Sequence, residues 1–164
     1  MENITNQQIY ADHQVTKENS AQLRKESMQM ALAATGNDLA TRIKKALLKA
    51  WGEWVPDYEG WLRWSNGLYK PDSLIYAIGD KPQRFADYQA SMRHQREAAT
   101  MEMGPIMQIA VEGHTAALVY HMYLSLKAQP EKCFDILVAE FNTFEETDGQ
   151  LMVKRLDLYT TKVM

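Results

Sequence analysis

The sequence of 164 residues has a single cysteine, Cys133, so it cannot close an internal disulfide and fits a reducing, cytoplasmic compartment. It lacks an apolar run long enough to cross a bilayer, and Met1 to Asn19 has no apolar centre of the kind a secretory signal needs. No membrane partner is expected. An excess of one charge is missing too: 18 basic residues are scattered among 21 acidic ones, for a net charge of −3. No basic block is left on which a nucleic acid could sit. The histidines, His13, His94, His114 and His121, show no metal-ligand spacing, and Gly-x-Gly-x-x-Gly, Walker and Gly-x-Ser-x-Gly motifs are absent. Metal, nucleotide cofactor and serine nucleophile therefore have no support, and no cofactor is expected.

What the chain does have is length enough for one domain over 1–164, with ten Met, four Trp, eight Tyr and four Phe. Such side chains suit an adaptable apolar cavity or an ordinary core equally well. Residues 1–14 are polar and read as a frayed end. Helical spacing runs from Lys17 to about Ala34 through Leu23, Ser27, Met30 and Ala31, and Gly36 stops it. A second helix follows the cap at Asn37-Asp38, carries Leu39, Ile43, Leu47, Ala50, Trp51 and Trp54 on one face, and ends at Pro56. Asp57 can cap a third through Leu68. Ser73 to Ile78 reads as a strand bounded by Gly79-Asp80. A fourth helix spans about 83–99, with Phe85, Tyr88, Met92 and Gln95 on one stripe and Arg84, Asp87, Arg93 and Arg96 mainly elsewhere. The period then changes from 3.6 to 2, with strands at about 105–111, 114–126, 132–144 and 150–161. Helices first and an antiparallel meander last is an α+β pattern, with helices packed on one face of a sheet.

The last two strands meet at Thr147-Asp148-Gly149-Gln150. Asp-Gly between alternating runs is a strong hairpin signal, because both central residues of a type I′ turn need positive φ. With Thr147 opposite Gln150, an unbroken ladder sets Asn142 across from Arg155 and Glu140 across from Asp157. One face of an otherwise apolar ribbon then carries four polar side chains. Opposed residues sit about 4.5–5.5 Å apart at Cβ, so the two carboxyls could share a proton beside Arg155 if desolvated, which is how a carboxyl becomes a general acid or base. The other reading is a solvated cross-strand ion pair. His121 shares a strand face with Ala117, Val119 and Tyr123, and is either a pocket base or a satisfied structural histidine. Trp51, Trp54, Tyr58, Trp61 and Trp64 form the densest aromatic cluster; with Tyr76 they either wall a ligand pocket or make plain core.

The passage from Trp61-Leu62 through Leu68-Tyr69-Lys70-Pro71-Asp72-Ser73-Leu74-Ile75-Tyr76 resembles the helix-to-first-strand passage of the nuclear transport factor 2-like superfamily, in particular its SnoaL-like branch. Val111-Glu112-Gly113-His114-Thr115-Ala116 resembles that family's Gly-centred hairpin, and Gly149-Gln150-Leu151 through Tyr159 its closing strand. The match covers about 38–161 and leaves the helix at 17–34 as an added element. The resemblance implies a strongly curved antiparallel or mixed sheet closing over the helices as a cone with a pocket, and often a homodimer. Family enzymes include polyketide cyclases, ketosteroid isomerase and limonene-epoxide hydrolase, while other members only bind proteins or small molecules, so fold alone selects no reaction. The closing strand departs from the cyclase pattern, with Val153, Lys154 and Arg155 where an acid, a His and an aromatic often stand. Arg155-Leu156-Asp157 resembles part of the epoxide hydrolase Asp-Arg-Asp arrangement.

Together these readings predict a protein that takes a small apolar or aromatic molecule in the cone through Trp54, Tyr58, Trp61, Trp64, Tyr76 and Asn142. The alternatives are an isomerase, cyclase or epoxide-hydrolase type of enzyme using Asp157 or Glu140 with Arg155 or His121, and an interaction module whose pocket is filled by its own side chains. A homodimer is expected because Leu, Val, Phe and Tyr on both sheet faces leave apolar surface exposed in a monomer.

Overall fold

A computed structural model describes residues 5–77 and 81–163. Among them four α-helices, a short 3-10 turn at Asp12–Gln14 and eight strands alternate in the order β1 (Thr5–Gln8), α1 (Ser20–Ala33), α2 (Leu39–Gly52), α3 (Tyr58–Asn66), β2 (Tyr69–Ala77), β3 (Gln83–Arg84), α4 (Phe85–Ala98), β4 (Ala99–Met103), β5 (Gln108–Glu112), β6 (Thr115–Leu126), β7 (Gln129–Thr147) and β8 (Gln150–Lys162). The expected strand end at Ile78 and its boundary at Gly79-Asp80 lie outside the described residues. The strands form one mixed sheet in the order β1-β5-β6-β7-β8-β2-β3, antiparallel except for the parallel pair β2 and β8, with β4 on the same edge of β6 as β5. The sheet is not strongly curled, which corrects the expectation of a tightly curved one.

The helices begin and end where local chemistry dictates. Asp38 caps α2 by accepting from the Thr41 backbone N–H at 3.3 Å and the Thr41 hydroxyl at 2.6 Å, and Asp57 caps α3 by accepting from the Gly60 N–H at 2.7 Å. Ile43, Leu47, Leu48 and Trp51 form the buried stripe of α2. Helix α1 is different. Its buried residues are Ser20, Arg24, Ser27 and Ala31, while Met30 is well exposed, so the expected stripe through Leu23 and Met30 is rotated. The reason is Arg24, whose guanidinium donates to the Trp51 carbonyl at 3.1 Å, to the Met103 carbonyl and to the Glu102 carboxylate. A buried charge so paired outweighs exposed methionine surface. The two small serines let α1 lie close on α2, where a Cβ on Gly52 would stand 2.6 Å from the Met28 side chain.

From Thr5 onward the expected frayed end is instead held to the sheet by two anchors. Strand β1 pairs with β5, and the segment after it crosses the outer sheet face, where Val15 is buried and Lys17 donates to Ser125 at 3.1 Å. Strand β4, which continues directly from α4, was also not expected as a separate element.

The largest correction concerns the last hairpin. Asp148 and Gly149 have φ of 53° and 78°, as a type I′ turn requires, and Thr147 pairs with Gln150. Between Phe144↔Val153 and Thr143↔Arg155, however, Lys154 is an extra residue on β8. This bulge moves the register by one, so Asn142 faces Leu156, Glu140 faces Leu158 and Phe141 faces Asp157. The four polar residues therefore divide between the two faces of the ribbon.

Gly52→Ala should destabilise the fold by about 1–3 kcal/mol, because the new methyl must displace Met28 and α1. Helix propensity alone would make the same change favourable by about 0.5–1 kcal/mol, so an unchanged or raised urea midpoint would show that the helices do not pack this closely.

Candidate functional site: a cavity between helices and sheet

The inner face of the sheet and the helices α2, α3 and α4 enclose a cavity of about 490 Å³. Trp51 and Trp54 reach it from α2 and the turn after it, Trp61 and Trp64 from α3, and Phe85, Tyr88, Met92 and Arg96 from α4. The opposite wall comes from inward positions of β4, β6, β7 and β8, including Met101, Tyr120, Met122, Val138, Glu140 and Leu158. Aromatic contacts brace this wall. Trp51 meets Trp64 and Tyr120 edge-on at 5.7 and 5.2 Å, Trp54 meets Trp64 at 5.0 Å, and Tyr69 stacks on Phe85 at 4.5 Å. Each such pair contributes about 0.5–1.5 kcal/mol beyond burial. Trp54 and Trp64 also give their indole N–H groups to the carbonyls of Met101 at 3.1 Å and Ala50 at 2.6 Å.

Within this apolar chamber sits one carboxyl. Glu140 is 3% exposed and accepts from the Tyr120 hydroxyl at 2.7 Å and the Asn142 amide at 3.0 Å. The Tyr69 hydroxyl reaches Asn142 at 3.5 Å. Desolvation pushes the Glu140 carboxyl above the ordinary range, and the two donors only partly oppose this. Burial and the neighbouring Glu140 charge push both phenols, Tyr69 and Tyr120, well up, so they remain protonated donors. A buried, hydrogen-bonded carboxyl with a raised pKa at a cavity wall is able to give or take a proton.

Arg96 is the second ionisable group here, only 7% exposed. Its guanidinium carbon stands over Trp61 at 4.4 Å and Trp54 at 5.5 Å, and its charge is further offset by the Tyr88 hydroxyl. Desolvation lowers its pKa, and the nearby tyrosines counter that. Nε and Nη1 have no hydrogen-bond partner among the described residues.

The sequence-expected site residues divide into two groups. Trp54, Trp61, Trp64 and Glu140 line the cavity, and fully buried Asn142 holds Glu140 from the side. Tyr58 packs beside Trp61 at 6.1 Å without lining the cavity. Arg155, Asp157 and Tyr76 lie on the outer face. There Arg155 donates to Asp157 at 2.9 and 3.0 Å and stands over the Tyr76 ring at 4.1 Å, held raised in pKa by the Asp157 hydrogen bonds. His121 also points outward. Its Nδ1 meets Asp135 and its Nε2 meets Asp12, each at 2.6 Å, so it clamps the N-terminal segment to the sheet. Desolvation works to lower its pKa, but the two carboxylates prevail and raise it. Trp61 and Glu140 thus share a cavity that Tyr76, His121, Arg155 and Asp157 do not line, because the bulge and strand alternation turn these four outward.

Sequence reasoning missed Arg96 and Tyr120. A signal for Arg96 was present, since Phe85, Tyr88, Met92 and Arg96 follow one helical stripe at spacings of three and four.

No family model matches the chain, and no curated protein matches it. Solved structures do. A protein from Jannaschia sp. CCS1 named as a candidate SnoaL-like polyketide cyclase superposes with a TM-score of 0.57 at 14% identity, over 78% of this chain and 91% of that one. An M. tuberculosis epoxide hydrolase of the LEH-like type gives 0.52 at 16% identity, over 75% and 83%. The fold is SnoaL-like. A further likeness, TM-score 0.53 at 15% identity over 79% and 91%, is to a Xanthomonas campestris protein named as a candidate calcium/calmodulin-dependent protein kinase II association domain. One SnoaL-like fold thus serves proteins with unrelated names, and identities this low bear on the fold alone.

Titration followed by carboxyl NMR should find Glu140 above its ordinary value of 4.5. Tyr120→Phe should raise it further by removing a donor to the carboxylate, while Arg155→Ala on the other face should leave it unmoved. The linked stability is full below the unfolded-state pKa and is lost as pH rises through the raised folded-state value, so Glu140→Gln should flatten that slope. An ordinary Glu140 value, or one that follows Arg155, contradicts this placement.

Proposed function

We propose that this chain binds a small apolar or aromatic molecule in the cavity between its helices and the inner sheet face. The observation that carries the reading is a 490 Å³ chamber walled by tryptophans and methionines with a single buried carboxyl at its wall. Ligand sites are typically apolar concavities with a few placed polar groups, and this chamber has that composition. The molecule lies against Trp54, Trp61 and Trp64, and Glu140 with its partners Tyr120 and Asn142 orients a polar group on it. Indole fluorescence is the direct probe, because four tryptophans line the wall. Titration with a neutral bicyclic aromatic such as 2-naphthamide should quench and shift the emission saturably, and Trp61→Ala should weaken the affinity about tenfold or more. Linear, unsaturable quenching would remove the reading.

A second reading is favoured by Glu140 itself: an acid-base enzyme of the isomerase, cyclase or epoxide-hydrolase kind. The solved structures named for such reactions supply precedent for the fold, and burial raises the Glu140 pKa, as a general acid or base requires. Under this reading Glu140 is the acid or base and Tyr120 its hydrogen-bonded partner.

We also propose that a second copy of the chain covers the outer face. Leu74, Phe141 and Tyr159 are exposed there, beside the Arg155–Asp157 pair and outside the part that the N-terminal segment covers. A self-complementary apolar and charged patch suits an isologous contact. Light scattering at micromolar concentration should give twice the chain mass, and Phe141→Lys should return it to the monomer; a monomeric parent would exclude the dimer.

A further inference from the structure

Three buried side-chain polar atoms have no hydrogen-bond partner among the described residues: Trp51 Nε1, Arg96 Nε and Arg96 Nη1. All three belong to residues that line the cavity, and all three are donors. Buried donors left unmet are costly, more so on a charged group, and native proteins rarely keep them without a reason. The tryptophans beneath Arg96 do not remove the cost. A ring face attracts the delocalised cation, whereas the N–H groups radiate in the guanidinium plane from its edge and need oxygen acceptors. Among the described residues no carboxylate forms an ion pair with Arg96, which has a hydrogen bond with the Tyr88 hydroxyl.

From this we infer that Arg96 is an anion subsite of the cavity and that the molecule bound there is an aromatic carboxylate, its carboxylate on the Arg96 guanidinium and its ring system against Trp61 and Trp54. The inference rests on the reading that the cavity holds a small aromatic molecule, and adds to it the charge that molecule carries. A carboxylate offers two coplanar acceptors that match the fork of a guanidinium. The Trp51 N–H supplies a further donor for an oxygen elsewhere on the ligand. Tyr120 and Asn142 already engage the Glu140 oxygens, and burial shifts that carboxyl toward its neutral form, which lessens its repulsion of an incoming anion. A plain hydrocarbon would leave all three donors unpaired.

The test compares 2-naphthoate with 2-naphthamide, equal in shape and differing in charge, by calorimetry and indole fluorescence on the intact protein. The parent should prefer naphthoate about tenfold or more, as a charge-assisted contact shielded from water implies. Arg96→Met should abolish that preference, weakening naphthoate about tenfold more than naphthamide, and Arg96→Lys should retain part of it. Equal affinities in the parent, or a preference that survives Arg96→Met, overturn the anion subsite while leaving the cavity reading intact. Failure of both probes to bind overturns the cavity reading and this inference with it. Should Arg96→Met not fold, the parent's ratio of the two affinities decides alone.

Discussion

The bulge at Lys154 is the constraint on which the rest of the molecule depends. Strand side chains alternate with a period of two, so one extra residue on β8 exchanges the faces of everything beyond it. Val153 points inward before the bulge and Leu156 after it, while Arg155 and Asp157 are turned to the outer face. With them inward, three charged groups and Asn142 would crowd one apolar chamber. The bulge leaves Leu156 and Leu158 opposite Asn142 and Glu140, so each buried polar group has an apolar neighbour across the ladder and its hydrogen bonds come from within the wall.

The chamber holds two ionisable groups treated in opposite ways. Glu140 accepts from Tyr120 and Asn142, and burial pushes its pKa up. Arg96 keeps its charge, as guanidinium groups do, and rests on ring faces while its Nε and Nη1 have no hydrogen-bond partner among the described residues. One group is complete within the protein and the other is not. That asymmetry gives the chamber chemical character beyond apolar volume, and it separates this wall from a core that aromatic packing alone would fill.

The polar groups outside the chamber serve the architecture. His121, between Asp135 and Asp12, ties the N-terminal segment to β6 and β7, and Arg24 joins α1 to the carbonyl ends of α2 and β4. Both tether residues 5–33 to a sheet built largely from residues 99–162. An isolated histidine among apolar residues reads in sequence as a candidate base; its two carboxylate partners lie 109 and 14 positions away, and only folding reveals them.

The sequence by itself determined the helices over α2, α3 and α4, the strands β5 to β8, the Asp148-Gly149 turn and the α+β order, because capping residues, periodicity and turn chemistry act within a few residues of one another. It also carried the resemblance that the fold bears out, and the tryptophan cluster, in which helical spacing places Trp61 and Trp64 on one side of α3. Tertiary structure alone decided the rest. Strand β1 and the buried stripe of α1 exist through partners far along the chain, the bulge at Lys154 is a matter of packing both faces of a ribbon at once, and the burial of Arg96 follows from α4 lying over Trp61. Whether a charged side chain faces water or a cavity is set by what folds against it, and local sequence does not contain that neighbour.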